Sequence, residues 1–146
     1  MLNSKFRNAV LPETYLFADK ASIKPEEIIT LRESVSWKGD TIERWQKCID
    51  QSLVNIGVCD AESNFIGMAC IAGNVRHAVL CDLAVNPDHQ GKGIGAAIMS
   101  ELLKAANDLG ISYLYAELAD TNPFRNQMLE SGFRATGDSL FMETYT

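Results

Sequence analysis

Three glycines, Gly91, Gly93 and Gly95, fall within five positions where a strand-like run gives way to a helix-like run. Glycine costs roughly 0.5–1 kcal/mol relative to alanine inside a helix, and a tight turn by itself would need only one. The first N–H groups of a helix have no partner within it, and the helix dipole adds partial positive charge at that end. A turn without side chains lets an anion touch this backbone, so the segment predicts a phosphate-binding turn.

The rest of the chain alternates between the periodicities of helices and strands, which indicates one α/β domain over residues 1–146 with a mixed sheet. Because a helix joins them, the strands at 75–85 and 112–119 should be parallel. The first half is predicted to form a strand at 14–19, a helix from Pro25, a second helix begun by a capping pair of Asp40 and Glu43, and a meander of strands at 52–60, 64–73 and 75–85. A helix at 92–109 ended by Gly110 and a strand at 112–119 should follow. The chain should finish with a short helix, in which Asn122 is the cap, Pro123 the first residue and Gly132 the last, and a β-hairpin over 133–146.

Composition excludes several classes of protein. Apolar residues make up 47% of the chain and charged residues 22%, as in ordinary globular proteins. No run reaches the ~18 apolar residues of a membrane span, and the start MLNSKFRNAV lacks the pattern of a secretory signal. A cytoplasmic protein with no membrane partner is expected. The formal charge of −6 argues against nucleic acid as a partner and is compatible with a cationic small molecule or with solubility alone.

Four cysteines, Cys48, Cys59, Cys70 and Cys81, recur at intervals of eleven residues. None forms a CxxC pair, and most lie in apolar surroundings, where a free cysteine acts as a small hydrophobic residue. Neither a metal site nor a disulfide framework is expected from this spacing.

Three anion-binding motifs compete for the glycine segment. A P-loop requires GxxxxGK[ST], and a further glycine follows Gly91 and Lys92, so that motif fails. A Rossmann fingerprint fits loosely as Gly91, Gly93 and Ala96, with Glu117 near the end of the next strand. That fold, however, places the motif at the start of a parallel sheet, whereas here a meander precedes it.

The third motif fits its surroundings. The stretch DLAVNPDHQGKGIGAAIM resembles the signature of the GNAT superfamily of acyl-CoA-dependent N-acyltransferases, whose pattern [Q/R]-x-x-G-x-[G/A] is met by Gln90, Gly93 and Gly95. The LxV of Leu83 and Val85 before it, the order of elements and the GF at 132–133 agree with the family as well. The resemblance implies a single GNAT-like α/β (α+β) domain, with a mixed, mostly antiparallel sheet, a splayed parallel strand pair and about four flanking helices.

The resemblance also implies acetyl-CoA as co-substrate, with no metal. Its pantetheine would pair with the main chain at the end of the signature strand, its pyrophosphate would lie on the N–H groups of the turn, and the last helix would contact its far end. The residues so implied are Leu83, Ala84 and Val85 for the strand, Gln90, Gly91, Lys92, Gly93, Ile94, Gly95 and Ala96 for the turn, and Asn122 and Arg125 for the last helix.

Acid–base groups are less clear from the sequence. Some family members carry an acid or histidine where this chain has Cys81 and Val79. Asp82 and Glu117 are the catalytic candidates that remain, with His77 nearby. Strand alternation should turn Asp82 away from Cys81 and Leu83, whereas Glu117 lies on the strand across the expected cleft.

A tyrosine that protonates the leaving thiolate in many family members is replaced by Met128, which cannot donate a proton. Water or the distant Tyr115 could substitute. The sequence therefore supports an N-acetyltransferase acting on a small primary amine, with a CoA-binding regulatory module as the alternative. Glu33 and Trp37 could form a cation-friendly acceptor pocket, and family precedent makes a homodimer possible.

Overall fold

The computed structural model describes residues 9–118, 121–122, 124–130 and 132–137. Within these residues, five strands form one sheet in chain order, and the helices lie on its two faces. The strands are β1 (Leu16–Phe17), β2 (Val54–Cys59), β3 (Phe65–Gly73), β4 (His77–Val85) and β5 (Tyr113–Ala116). The α-helices are α1 (Pro25–Ser34), α2 (Ile42–Gln51), α3 (Ile94–Leu109) and α4 (Arg125–Glu130).

Each strand from β1 to β4 pairs with the next in antiparallel orientation, whereas β4 and β5 pair in parallel. The parallel register covers only His77–Leu80 opposite Tyr113–Ala116, although β4 continues to Val85. Beyond Leu80 and Ala116 the two strands are no longer paired. The predicted mixed sheet with a splayed parallel pair is confirmed.

The sheet separates two apolar cores. On one face α3 buries Ile94, Ile98 and Leu102 against β2, β3 and β4, and Met128 of α4 joins them. On the other face Ile28 and Leu31 of α1 and Trp45 and Ile49 of α2 pack on Met68 and Ala84. Burial of such side chains contributes about 1.5–3 kcal/mol each, so β4 is held from both sides.

The structure corrects several of the predicted element ends. Helix α3 begins at Ile94 and not at 92, and β5 is Tyr113–Ala116, shorter than the predicted 112–119. The first strand is only Leu16–Phe17, shorter than the predicted 14–19. Helix α2 is capped by Thr41, whose hydroxyl accepts from Arg44 N–H at 3.1 Å, and not by Asp40. Asp40 instead accepts from the Thr41 N–H at 2.7 Å, one position before the cap.

Two other predicted ends agree with the structure. Pro25 is the first residue of α1, and Gly110 ends α3 in the left-handed conformation with φ 71°. The predicted hairpin over 133–146 falls largely outside the described residues, as does Pro123. Within the part of the chain that is described, no helix is long and apolar enough to cross a membrane.

Candidate active site

A cleft of about 590 Å³ opens where β4 and β5 separate. Its walls are the end of β4, the glycine turn, the residues after β5 and the first part of α4. All but two of the predicted site residues line it; those lining it are Asp82, Leu83, Ala84, Val85, Gln90, Gly91, Gly93, Ile94, Gly95, Ala96, Glu117 and Asn122. The sequence therefore located the cleft, although it did not single out Leu80, Leu118 or Gln127, which also line it.

The glycine turn presents bare backbone to this cleft. Gly91 and Gly93 have φ of 77° and 82°, a left-handed conformation that favours glycine. A Cβ added at either position would meet no atom within 4 Å, so the space beside them is open. Ala97 is the first residue here whose N–H donates to a helical carbonyl, that of Gly93 at 3.1 Å. Among the described residues, the amides of 91–96 have no backbone acceptor, whereas that of Gln90 donates to the Pro87 carbonyl at 3.4 Å. Unpaired donors at a helix start are what an anion requires.

Glycine is needed at position 95 for a different structural reason. A Cβ at this position would collide with the ring of Phe124, which precedes α4. Gly95 therefore allows close packing between the start of α3 and the segment that leads into α4. The sequence assigned all three glycines to one role, whereas two of them serve the turn and the third serves this packing.

A hydrogen-bond network that the sequence did not indicate holds the turn in place. The Tyr15 hydroxyl lies 2.8 Å from Nδ1 of His89 and accepts from Lys92 Nζ at 3.3 Å. His89 Nε2 lies 3.9 Å from a carboxylate oxygen of Asp60. On the other side, the Gln90 side-chain amide donates to the Val85 carbonyl at 2.8 Å. Lys92 thus directs its side chain to Tyr15, and only its backbone belongs to the turn.

Replacing Tyr15 by Phe tests whether this network orders the turn. The ring is buried and should stay in place, so the change removes only the hydroxyl. We expect the free energy of unfolding to fall by about 1 kcal/mol and CoA affinity to fall about threefold, because a less ordered turn must be fixed on binding. Chemical unfolding and titration calorimetry measure the two effects; an unchanged affinity would show that the turn is ordered without the network.

Asp82 lies in a β-bulge. The register of β3 and β4 passes from Cys70 opposite Cys81 to Met68 opposite Ala84, so two residues of β4, Asp82 and Leu83, oppose Ala69 alone. Asp82 has φ 58°, a left-handed conformation. The prediction that alternation turns Asp82 away from Cys81 is wrong, because the extra residue breaks the alternation. A carboxylate oxygen of Asp82 and the sulfur of Cys81 lie within 4.8 Å of each other.

The Asp82 carboxylate forms an ion pair with Arg32 of α1. The Arg32 guanidinium stacks on Trp37 at 5.1 Å and on Trp45 at 5.0 Å, and donates to the Lys38 carbonyl at 3.2 Å. Side chains of Arg32 and Asp82 are 16% and 26% exposed, so the pair is largely removed from solvent. The bulge is thus tied to α1 through one salt bridge that the sequence did not reveal.

Glu117 follows β5 and is exposed on the cleft wall opposite β4. Within the described residues its carboxylate has no ion pair or hydrogen bond, in contrast to that of Asp82. Asn122 accepts from the Phe124 N–H at 2.9 Å and lines the cleft, whereas Arg125 on α4 does not. His77 stacks on Tyr113 at 5.3 Å, away from the cleft lining.

The position of the missing tyrosine is occupied by a core residue. Met128 is 2% exposed and belongs to the α3 core, and Tyr115 lies outside the cleft lining, 3.3 Å from His77. Trp37 lines the cleft, but a guanidinium already lies over its ring. Glu33 does not line it. Of the two residues predicted for an acceptor pocket, only Trp37 therefore lines the cleft.

Sequence comparison points to acetyltransferases. A model of the acetyltransferase (GNAT) family matches residues 21–133. The chain is 34% identical over 102 residues to an uncharacterized N-acetyltransferase ycf52-like protein of Prochlorococcus marinus, which covers 67% of this chain. That match spans 57% of the length of the relative.

Solved structures share the fold. A GNAT family acetyltransferase of Streptococcus pneumoniae superposes with a TM-score of 0.71 at 22% identity, covering 90% of this chain and 98% of that one. N-acetylglutamate synthase of Neisseria gonorrhoeae, solved with coenzyme A and L-arginine, superposes with a TM-score of 0.67 at 20% identity, covering 90% of this chain and 30% of that one. Since the family model matches most of its residues, the chain belongs to the acetyltransferase (GNAT) family.

Proposed function

We propose that the chain is an acetyl-CoA-dependent N-acetyltransferase whose acceptor is the primary amine of a small molecule. The observation that carries the proposal is the pair of left-handed glycines, Gly91 and Gly93, whose bare backbone opens into the cleft beside splayed strands. The coenzyme A in the structure of the Neisseria gonorrhoeae relative supports the same ligand here. Four free cysteines are compatible with the cytoplasm as the compartment.

The residues present fit the diphosphate of CoA. Within the described part of the chain, no lysine or arginine lines the cleft. An anion there would therefore be held by the amides of residues 91–96 and by the dipole of α3, rather than by a cationic side chain. The main chain of Leu83–Val85 would hold the pantetheine, and Asn122 would contact the cofactor from the other wall.

Acetyl-CoA supplies an activated thioester when bound, and the protein must handle the proton that the amine loses. Glu117 faces the cleft without a partner among the described residues, so it can accept that proton directly or through a water molecule. Asp82 is already paired with the Arg32 guanidinium, and taking up a proton would weaken that pair. We therefore assign Glu117 as general base and Asp82 as the residue that holds the bulge in place.

Replacing Glu117 by Gln tests the assignment. We expect kcat to fall by about 100-fold with the dissociation constant for CoA unchanged, because glutamine keeps the shape of the side chain and leaves the glycine turn intact. Glu62→Gln, at an exposed turn, is the matched control and should leave both values unchanged. Steady-state kinetics and calorimetry supply the measurements, and an unchanged kcat in Glu117→Gln would contradict the assignment of Glu117 as general base.

A thiol-release assay with acetyl-CoA tests the function as a whole. The acceptor panel should include polyamines, amino acids, aminoglycosides and peptides with free N-termini, since the aromatic ring of Trp37 and the exposed carboxylate of Glu117 both line the cleft. Amine-dependent thiol release is the expected result. No release with any acceptor would contradict the proposal.

A regulatory module that binds CoA without transfer is the second candidate. Met128 favours it, because that side chain is buried in the core and cannot donate a proton to a leaving thiolate. Calorimetry separates the two: tight CoA binding with no turnover on the whole panel favours the module, and turnover excludes it.

A further inference from the structure

Two thiols meet directly across neighbouring strands beside the bulge. Cys70 of β3 and Cys81 of β4 are register partners, and their sulfur atoms are 3.5 Å apart. Direct partners in antiparallel strands have Cα atoms about 4.5–5.5 Å apart, which lies within the range of about 4.4–6.8 Å spanned by disulfides. Closing the sulfurs to the bond length of about 2.05 Å needs a movement of roughly 1.5 Å.

The two thiols differ in accessibility. Cys81 is half-buried and lines the cleft, so a small molecule can reach its sulfur. Cys70 is 6% exposed and lies behind it, in contact with the Cys81 sulfur. The accessible Cys81 can therefore attack an external disulfide, and Cys70 is placed to attack the resulting mixed disulfide.

The more accessible thiol, Cys81, also has the lower pKa. The hydrogen bond from Cys70 lowers the pKa of Cys81, against the effect of its burial. That hydrogen bond and burial raise the pKa of Cys70. Burial likewise raises the pKa of Cys59, and that of the exposed Cys48 is also raised. Cys81 is therefore the thiol most readily ionised, and the thiolate is the nucleophile.

We propose that Cys70 and Cys81 form a redox-active dithiol that small-molecule disulfides convert to a cross-strand disulfide. The Cys81 thiolate attacks a disulfide RSSR, forms a mixed disulfide and releases RS⁻. Cys70 then attacks the Cys81 sulfur, forms the intramolecular bond and releases a second thiol, which takes the Cys70 proton. The protein pair loses two electrons, and RSSR gains them as RS⁻ and RSH.

The neighbouring carboxylate argues for this chemistry over metal binding. Ligand atoms of Cys70, Cys81 and Asp82 lie within 4.8 Å of one another. Asp82, however, is paired with Arg32, whose positive charge would oppose a cation at the same point. Two thiols remain as the reactive groups. This chemistry does not depend on acetyl transfer, so its test is independent of the proposed function.

The test uses the full chain with oxidised glutathione as the probe. In a Cys48→Ser/Cys59→Ser background only the pair remains. We expect both free thiols to be lost, a linked peptide carrying Cys70 and Cys81 in non-reducing peptide mass spectrometry, and full recovery with dithiothreitol. Adding Cys70→Ala should trap Cys81 as the mixed disulfide with glutathione, and adding Cys81→Ala should leave Cys70 unmodified.

The unsubstituted protein gives a second test that does not depend on folding of the variants. Iodoacetamide should modify Cys81 at a lower pH than Cys59, with circular dichroism confirming the folded state. The proposal is overturned if Cys81 accumulates as the mixed disulfide while Cys70 is present, if Cys48 becomes the linked partner, or if Cys59 reacts at the lower pH.

Discussion

Replacing Gly93 by Asp should remove CoA binding while leaving the fold intact. Gly93 is the residue before α3, and its open side faces the cleft, so an aspartate carboxylate would occupy the space proposed for the diphosphate. A negative charge there repels the ligand and competes for the same amides. We expect affinity for CoA to fall at least about 100-fold, which corresponds to about 2.7 kcal/mol, as measured by titration calorimetry.

The same charge should act in the opposite direction on stability. A carboxylate near a helix N-terminus stabilises the helix by about 0.3–1 kcal/mol, which offsets the strain of a left-handed aspartate, one of the residues that tolerates this conformation. The melting temperature should therefore stay within a few degrees of the original. Loss of binding together with an unchanged melting temperature distinguishes this prediction from general unfolding.

Two variants separate charge from strain. Gly93→Asn has almost the same shape without the charge, so it should retain much more affinity than Gly93→Asp. Gly110→Asn places the same left-handed strain at the other end of α3, where φ is 71° and a Cβ would meet nothing within 4 Å. It should leave CoA affinity unchanged. Equal losses in Gly93→Asn and Gly93→Asp would show that shape, not charge, decides binding.

Much of the fold could be predicted from local signals. The glycine turn, the helix after it and the cap at Gly110 depend on backbone rules that act over a few residues. Parallel pairing of β4 and β5 followed from the helix between them, because such a connection restricts the topology. The short β1 could not be bounded, since only Leu16 and Phe17 pair with β2.

The bulge was missed because no glycine marks it. Asp82 adopts its left-handed conformation through its fixed place between β3 and α1, and both contacts are distant in sequence. The apolar pattern carries a weak signal. Leu80 and Leu83 both pack against the α3 core although three positions separate them, so the alternation slips by one residue there.

The contacts that fix the turn were missed for a similar reason. Tyr15 and His89 are separated by 74 positions, and nothing in their local sequence pairs them. The same holds for Arg32 and Asp82, separated by 50 positions. Local patterns located the cleft, whereas the side chains that stabilise its walls come from the N-terminal part of the chain and require the folded structure.

Replacing Arg32 by Met should strongly destabilise the fold beside the cleft. Methionine keeps the apolar stem but removes the guanidinium, so the half-buried Asp82 carboxylate loses its ion pair, and Trp37 and Trp45 lose the cation between them. Leaving a charge unpaired in such a place costs about 3–5 kcal/mol when fully buried. Because both side chains retain some exposure, we expect a loss of about 2–4 kcal/mol in the free energy of unfolding.

Lys47→Met is the matched control, because Lys47 pairs with Glu43 at 3.9 Å where the side chains are 68% and 83% exposed. It should cost no more than about 0.5 kcal/mol. Asp82→Asn combined with Arg32→Met completes a double-mutant cycle, and we expect a coupling of about 1–3 kcal/mol, because removing the carboxylate relieves its unpaired charge. Additive losses, or an Arg32→Met loss equal to that of Lys47→Met, would mean that the bulge persists without the salt bridge. The position of Leu83–Val85 in the cleft would then depend on strand pairing alone.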